Sequence, residues 1–226
     1  MSEIRNYTQR LARLDVCAVS DALDQLGLPA SVTGIAPLTT RVRLAGAVIT
    51  VKLAAGSPPA GAPVRHLCTA AIDQSEPGQI IVVEQRTGVE AAGWGGILSN
   101  SARMREVTGV IVEGLARDID EAIDIGFPVY ARGPTARTAR GRIHEASTGE
   151  PITVGHVEVA TGDWVLSDSS GTAFIPATAI GRVLDAAERI AAAEADMTKA
   201  VLSKNKSGEV MGSRYEHLLQ SGSSNQ

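Results

Sequence analysis

The stretch that decides the fold is GVIVEGLARDIDEAIDIGFPVYARG, residues 109–133. It begins with a short apolar run at 109–113, continues with a helical pattern at 118–125, and ends with a second apolar run at 128–131. Short apolar runs separated by a helical segment are typical of parallel strands joined by a crossover helix. The stretch therefore predicts an α/β fold built on a parallel sheet.

The alternation of helices and strands extends on both sides of this stretch. Helical spacing and β-branched runs predict helices over 14–26, 64–75, 96–106 and 178–204, strands over 45–55 and 79–84, a loop over 56–63, and further strands within 152–178. The sequence has no internal repeat and no interior linker. We therefore expect one α/β domain over 1–210 and a polar C-terminal tail over 211–226.

The composition excludes several classes of protein. A net charge of −4 and an aromatic content of 3% argue against a nucleic-acid binder, which usually has a basic surface and aromatic stacking platforms. No apolar run approaches the ~20 residues of a membrane span, and the N-terminus lacks the layout of a signal peptide. Cys17 and Cys68 have no CxxC spacing, which predicts buried free thiols in a reducing compartment. A cytoplasmic protein is expected.

A glycine-rich turn, GWGG at 93–96, stands between the strand 79–84 and the helix 96–106. Glycines permit close backbone approach, and the first turn of a helix offers unpaired N–H groups at the positive end of its dipole. The turn lacks both GxGxxG and the lysine of a P-loop, so a small carboxylate fits better than a nucleotide phosphate. The alternative is a tight turn that only packs the helix on the sheet.

The segment GLARD, 114–118, is predicted to lie at the same edge of the sheet, because loops that leave parallel strands of one βαβ unit share that edge. Arg117 would grip a carboxylate with its planar guanidinium, and Asp118 is a hard oxygen ligand for a divalent cation. The alternative for Asp118 is structural. In that case DIDE, 118–121, forms a capping box in which Asp118 caps the helix and Glu121 returns the hydrogen bond.

The predicted C-terminal helix contains one acidic residue on an apolar face. A single stripe at helical spacing is formed by Val183, Ala187, Ile190, Glu194, Met197 and Val201. A carboxylate on a buried face needs a cation, a metal or a hydrogen-bond network. Glu194 is therefore a metal ligand together with Asp118, a residue that extends from the rim of the core into solvent, or the partner of an arginine in an ion pair.

Other polar residues carry weaker signals. The basic cluster Arg132, Arg137, Arg140 and Arg142 is either a solvated loop or a recognition site for a second carboxylate of an acidic substrate, with Arg140 as the expected substrate contact. The four histidines, His66, His144, His156 and His217, show no metal-ligand spacing. They are interpreted as surface or core residues.

The opening stretch resembles GVVVDGxxRDxxExxxxxFPVFARG of the RraA-like family. This family includes 4-hydroxy-4-methyl-2-oxoglutarate/4-carboxy-4-hydroxy-2-oxoadipate aldolases, which also decarboxylate oxaloacetate, and regulators of ribonuclease E activity. Similar segments are VSDALDQLG (19–27), AGAVITV (45–51), EPGQIIVVE (76–84), GDWVLSDSSGTAFIP (162–176) and AEADMTKAV (193–201). The resemblance implies a swivelling β/β/α, phosphohistidine-domain-like fold with a long C-terminal helix, and homotrimers or hexamers with active sites between subunits.

The resemblance also implies roles for individual residues, with Mg²⁺ or Mn²⁺ as cofactor and pyruvate bound as its enolate. Asp118 matches the metal-ligating aspartate, and Arg117 matches the arginine that contacts the substrate and helps to protonate the enolate. Glu194 matches a glutamate that a neighbouring subunit directs to the water shell of the metal. The backbone amides of Gly95, Gly96, Ile97 and Leu98 match the loop that binds the pyruvate carboxylate.

One position departs from the family pattern. The aldolases place an Asp or Glu 21 positions before the arginine, where this chain has Gly96. Loss of an outer-shell carboxylate is expected to weaken the metal site by ~10–100-fold, and it removes a candidate for proton handling in aldol cleavage. The departure therefore leaves, as an alternative to the standard aldolase reaction, a relative that acts on another 2-oxo or hydroxy acid.

The predicted function is a divalent-metal-dependent C–C lyase that acts on a small 2-oxo acid through a metal-stabilised enolate, as a pyruvate aldolase, an oxaloacetate decarboxylase, or both. One alternative is a related decarboxylase or hydratase of another carboxylic acid. The other is a non-enzymatic binding protein like the ribonuclease regulators. Because those regulators tend to lack the intact Arg-Asp pair, its presence here favours an enzyme.

Overall fold

The structure, a computed structural model, describes residues 3–39, 41–61 and 65–211. The helices in these ranges are α1 (Glu3–Leu11), α2 (Val16–Gln25), α3 (Thr69–Gln74), α4 (Gly96–Met104), α5 (Ile119–Asp124), α6 (Ile180–Leu202) and α7 (Ser207–Val210). The strands are β1 (Ala36–Pro37), β2 (Leu44–Ala55), β3 (Ile80–Glu84), β4 (Ala92–Trp94), β5 (Gly109–Ala116), β6 (Val129–Pro134), β7 (Ile143–Thr148), β8 (Ile152–Val154), β9 (Val157–Val159), β10 (Trp164–Ser167) and β11 (Thr172–Ile175).

A mixed sheet organises the fold. Within the described ranges the strand order is β1-β6-β5-β3-β2-β10-β11, with β4 beside β5 and β7 beside β2, while β8 and β9 form a separate hairpin. The β2–β3, β3–β5 and β5–β6 pairs are parallel, and β10 and β11 extend the sheet in antiparallel fashion. The predicted α/β class with a long C-terminal helix is confirmed.

The central strands are covered on both faces, which explains their continuous apolar runs. All five residues of β3 are buried. One face packs against α3, α4 and α5 through residues such as Ile72, Leu98 and Ala122. The other face packs against the β8–β9 hairpin, for example through Ile152 and Val154. A third cluster joins α2 and α6 to β10 and β11. The helices α3, α4 and α5 therefore form a layer on one face of the sheet, and the β8–β9 hairpin forms a layer on the other.

Several predicted boundaries change in the structure. Residues 114–116 continue β5 and are not a loop, and the predicted helix 64–75 shortens to α3. Strand β4 was not predicted, because a three-residue run that contains a glycine has no recognisable period. Cys68 is buried as expected, but the prediction for Cys17 is wrong, because its side chain lies on the exposed face of α2.

The apolar stripe of the long helix is buried over only part of its length. Val183, Ala187 and Ile190 lie in the core, whereas Glu194 is half-buried and Val201 is exposed. The helix thus extends past the core of its own chain, and the expected burial of the whole stripe is wrong for this chain alone.

The domain boundaries at 210 and 211 stay a prediction. The proposed tail, 211–226, and His217 lie almost entirely outside the described residues. None of the helices in the described part of the chain is both long and apolar enough to cross a lipid bilayer.

Candidate active site

An open pocket of about 420 Å³ lies where β5 ends and α5 begins. It is lined by Arg117, Asp118, Ile119, Asp120, Glu121, Pro134, Thr135 and Ala136. Strand β4 pairs with the last residues of β5, Ala92 with Leu115 and Trp94 with Ala116. This pairing brings the glycine-rich turn beside the pocket, so the predicted meeting of the turn with Arg117 and Asp118 is confirmed.

The Arg-Asp pair is attached directly to the first turn of α4. The backbone N–H of Gly96 donates to Oδ2 of Asp118 at 2.9 Å, and Nε of Arg117 lies 3.2 Å from the same oxygen. Both side chains remain about one third exposed, at 38% and 37%. One of the amides expected to bind a substrate carboxylate is therefore already bonded to a carboxylate of the protein itself.

The capping-box interpretation of Asp118 and Glu121 is wrong. Asp118 has φ 56° and ψ 42°, in the left-handed region, and its side chain makes no capping hydrogen bond to α5. An N-cap residue normally has extended backbone angles that point its oxygen at the helix amides. Here the side chain points to Gly96 instead, while Glu121 accepts a hydrogen bond from Nδ2 of Asn100 at 2.7 Å.

Left-handed backbone at a residue other than glycine is uncommon, and it concentrates at functional sites, where the surrounding structure holds it in place. Aspartate is among the residues that tolerate it best. The backbone of Asp118 thus directs its side chain to the pocket and not to the amides of α5.

Charged side chains fill the space beside both glycines at the start of α4. A Cβ on Gly95 would lie 2.9 Å from Oδ2 of Asp118 and 3.3 Å from Nε of Arg117. A Cβ on Gly96 would overlap the carboxylate of Glu121, reaching 2.5 Å from its Cδ. The alternative interpretation of GWGG as a packing turn is therefore partly correct, but what it packs against is the set of charged groups in the pocket.

Trp94 holds the turn against the sheet. Its indole Nε1 donates to Oγ of Ser99 at 2.9 Å, and its carbonyl accepts from the backbone N–H of Arg117 at 3.0 Å. The ring stacks on Phe127 with a centroid separation of 6.2 Å. These contacts join α4, β4 and the end of β5 into one unit, which sets the position of Arg117.

Gln85 supports the same region and was missed by the sequence analysis. It is 6% exposed, and its Oε1 accepts from the backbone N–H of Leu115 at 3.1 Å while its Nε2 donates to the carbonyl of Ala91 at 2.5 Å. The residue thereby ties the segment before β4 to β5. Its position directly after β3 placed it in a predicted loop, and nothing in the local pattern marks it as buried.

The side chains of three of the four clustered arginines have separate partners. Arg132 forms a bidentate pair with Glu113, and Arg137 lies 3.2 Å from Glu90. Arg142 donates to the carbonyl of Thr138. Arg140 is exposed and does not line the pocket, so its role as a substrate contact stays a prediction.

The pocket offers carboxylate oxygens as possible metal ligands. Among the residues that the structure describes, no group of three or more His, Cys, Asp and Glu side chains is placed to share one ion. This excludes a closed cage of protein ligands there but fits Mg²⁺ or Mn²⁺, because Mg²⁺ commonly keeps several waters and binds one or two carboxylates. Asp118 is the carboxylate of the pocket that would hold such an ion, and its Oδ2 already accepts from Gly96 and lies beside Arg117.

Glu194 does not line the pocket of its own chain. It lies on α6, which packs against α2 and α1 on a different layer of the fold. Its predicted role therefore needs the pocket of a neighbouring subunit, and it stays a prediction.

Comparison with known proteins gives one family. A family model described as RraA-like, Aldolase/RraA, matches residues 16–173. Protein DlpA of Legionella pneumophila is 24% identical over 198 residues, which are 88% of this chain but only 32% of DlpA, so the chain spans about a third of that relative. A candidate 4-hydroxy-4-methyl-2-oxoglutarate aldolase of Halalkalibacterium halodurans is 26% identical over 81% of this chain and 83% of its own length.

A solved structure shows the same architecture. An uncharacterized protein from Pseudomonas syringae pathovar tomato superposes with a TM-score of 0.81 at 25% identity, covering 92% of this chain and 98% of the other. The layered fold and the long C-terminal helix are therefore shared with a protein of closely similar length.

Proposed function

This chain belongs to the RraA-like family, and on that premise we propose that it is a C–C lyase acting on a small 2-oxo acid, of the pyruvate aldolase or oxaloacetate decarboxylase type. The observation that carries the proposal is the Arg117–Asp118 pair, held at the first turn of α4 in an open pocket. The name of the Halalkalibacterium halodurans relative supports the same class of reaction.

The residues of the pocket suit the bond cleavage that both reactions share. The first-turn amides of α4, at Ile97 and Leu98, have no acceptor within the helix and face an anion favourably, which suits the carboxylate of the substrate. The guanidinium of Arg117 lies beside Gly95, the residue before α4, and supplies fixed positive charge for the oxygen that becomes negative as the enolate of pyruvate forms. These interactions strengthen as the charge develops, which is what lowers the barrier.

A divalent metal completes this site in the proposal. Asp118 would hold the ion, and Glu194 of a neighbouring subunit would contact its water shell, which requires a homotrimer or hexamer. Mg²⁺ or Mn²⁺ would act as a Lewis acid that polarises the 2-oxo group. Arg117 would still orient the substrate acid. The first turn of α4 would restrict the position of the substrate carboxylate.

The test is to incubate the purified protein with 4-hydroxy-4-methyl-2-oxoglutarate and, separately, with oxaloacetate, and to follow pyruvate. Each reaction is run with Mg²⁺, with Mn²⁺ and with a chelator. We expect pyruvate from at least one acid and its loss on chelation. If neither acid yields pyruvate, the proposed pyruvate-forming reaction is ruled out. The alternatives are then a decarboxylase or hydratase of another acid, or a ribonuclease-regulator-like binding protein.

A further inference from the structure

Two register shifts lie in the strands that lead to the pocket, and each falls at a glycine. Strand β5 has one more residue than β6 between Val112 and Leu115, which places an irregularity around Gly114. Strand β4 likewise has one more residue than β5 at Gly93. Extra residues of this kind are common beside active sites, where they redirect a side chain. Because Gly114 lies just before Arg117 in the chain, the shifts affect how β5 reaches the pocket.

The side chain of Gln85 fills the space between the two glycines. A Cβ built on Gly114 would lie 2.7 Å from Cβ of Gln85 and 2.9 Å from its Cδ. A Cβ built on Gly93 would lie 2.7 Å from Oε1 of the same residue. The contact at Gly114 includes the base of the Gln85 side chain, which moves only with the backbone. Gln85 thus packs directly against both register shifts.

The amide of Gln85 continues the hydrogen bonding of β5 where β3 ends. Strand β3 stops at Glu84, and Oε1 of Gln85 accepts from the backbone N–H of Leu115 at 3.1 Å. Nε2 donates to the carbonyl of Ala91, just before β4, at 2.5 Å. An amide has a donor and an acceptor at one end, whereas a carboxylate has only acceptors. Gln85 therefore joins the outgoing end of β5 to the incoming end of β4.

Backbone contacts extend from these partners to Arg117. Leu115 lies two residues before Arg117 on β5, and the backbone N–H of Arg117 donates to the carbonyl of Trp94 on β4 at 3.0 Å. Gln85 itself is buried and does not line the pocket. It can therefore act on a bound substrate only through the residues that it holds.

We propose that Gln85 is a positioning residue for Arg117, an inference that rests on the proposed lyase function. Its amide sets the register at which β5 ends beside β4, and thereby the place of the guanidinium relative to the first turn of α4. One residue of register corresponds to about 3.3 Å along a strand. A displacement of only about 1 Å at a reacting centre is enough to cost ~100-fold in rate.

Gln85→Met keeps the length of the side chain but removes its strong donor and acceptor. It should lower kcat/KM for pyruvate formation by at least ~10-fold, measured with whichever acid the wild type converts. The matched control is Ser167→Ala, which removes a buried hydroxyl contact to Thr172 on β10, a strand separated from β5 by β3 and β2. Both variants lose a buried hydrogen bond, but the control should keep kcat/KM within about twofold per folded protein.

A double-mutant cycle with Arg117 separates positioning from general stability. The measurement is the affinity for oxalate, a planar dianion shaped like the enolate of pyruvate, by titration calorimetry with Mn²⁺ present. Gln85→Met should weaken oxalate binding by at least ~10-fold when Arg117 is present. In an Arg117→Ala background the same change should have an effect within about threefold, because no guanidinium remains to be positioned.

The possible outcomes distinguish the inference from the proposed function. If the wild type forms pyruvate and Gln85→Met weakens oxalate binding equally in both backgrounds, Gln85 does not act through Arg117 and the inference is overturned, while the lyase function stands. A wild type that neither forms pyruvate nor binds oxalate overturns both.

Gln85→Asn provides a second variant if Gln85→Met does not fold. Asparagine keeps the amide but is one methylene shorter, so it cannot reach both Leu115 and Ala91 from the same backbone position. Pyruvate formation should again fall by ~10-fold, with a folded protein confirmed by circular dichroism. A folded Gln85→Asn protein with the activity of the wild type would show that the length of this side chain does not position Arg117.

Discussion

At the scale of single residues, the backbone conformation of Asp118 determines which groups its carboxylate contacts. Its left-handed backbone gives up the capping hydrogen bond that its position before α5 would otherwise permit. In exchange, its carboxylate reaches the first turn of α4 and contacts Arg117. A residue that leaves the locally favoured arrangement for a contact at a pocket is best explained by function.

Replacing Asp118 by asparagine tests this explanation. Asparagine still accepts a hydrogen bond from Gly96 and tolerates left-handed angles, so the fold should be retained, but the negative charge that would hold Mg²⁺ is lost. Since outer-shell groups alone are worth ~10–100-fold, metal-dependent pyruvate formation and Mn²⁺ affinity should each fall by at least ~100-fold. Full metal-dependent turnover by a folded Asp118→Asn protein would contradict the proposed site.

At the scale of elements, the pocket depends on how α4 is attached to the sheet. The indole of Trp94 is buried, and Ser99 is both its acceptor and a donor to the carbonyl of Gly95. This short network links the strand that carries Trp94 to the helix that follows it. The network thus holds β4, which has only three residues, against α4.

Removing the hydroxyl of Ser99 should measure that link. In Ser99→Ala the buried N–H of Trp94 loses its acceptor, and an unsatisfied buried donor costs ~1–3 kcal/mol. The free energy of unfolding from urea titration should fall by about that amount. Ser101→Ala, on the exposed side of the same helix, is the control and should change stability by less than ~0.5 kcal/mol. If both substitutions lower the free energy of unfolding equally, the hydrogen bond between Trp94 and Ser99 does not stabilise the fold.

Ion pairs connect α1 to the long helix α6. Arg10 contacts Asp185 at 2.6 Å and Glu188 at 2.8 Å. The hydrogen bond from Arg10 lowers the pKa of Glu188 below its ordinary value, against the opposing effect of burial. A carboxyl whose pKa is lower in the folded state stabilises the fold above its unfolded pKa, and this contribution disappears as the pH falls through the folded pKa.

Arg10→Gln should therefore destabilise the protein at pH 7 and have a shrinking effect as the pH falls below about 4, the ordinary range of a glutamate. Because these side chains are partly exposed, solvent screening limits the loss to about 1 kcal/mol or less. The measurement is the melting temperature of both proteins between pH 3 and 7. Arg5→Gln, on the exposed face of α1, is the control. The prediction is contradicted if the difference in melting temperature between Arg10→Gln and the wild type grows as the pH falls.

At the scale of the whole molecule, two exposed apolar regions stand out. The end of α6 carries Leu202 at 79% exposure, and α4 carries Met104 at 82% and Ile97 at 77%. Exposed apolar side chains that form a contiguous patch often mark a contact surface. Both regions belong to elements that the proposed function assigns to sites between subunits.

We accordingly expect a mass in solution of three or six times the 23.5 kDa of one chain, measured by light scattering after size-exclusion chromatography. Glu194→Gln should keep that mass while weakening Mn²⁺ affinity by ~10-fold or more, the effect typical of an outer-shell group. A monomer that forms pyruvate would contradict the role of Glu194 without affecting Arg117 and Asp118.

The sequence by itself determined the order and type of the main elements. The period of apolar residues is a local property, and it correctly predicted the buried strands β3 and β5 and the helices α2, α4 and α6. The βαβ order then placed the glycine-rich turn beside Arg117 and Asp118, because crossover connections put consecutive loops at one edge of a sheet.

Only the tertiary structure decided which polar groups contact one another at that edge of the sheet. The left-handed turn of Asp118, the burial of Gln85 and the contact of Asn100 with Glu121 each join residues from different elements. Local pattern describes how a residue suits its own helix or strand, and it favoured a capping box for Asp118 and Glu121. The contacts made across elements overrode that preference. The side chains that surround Gly96, Glu121 among them, are therefore visible only in the folded chain.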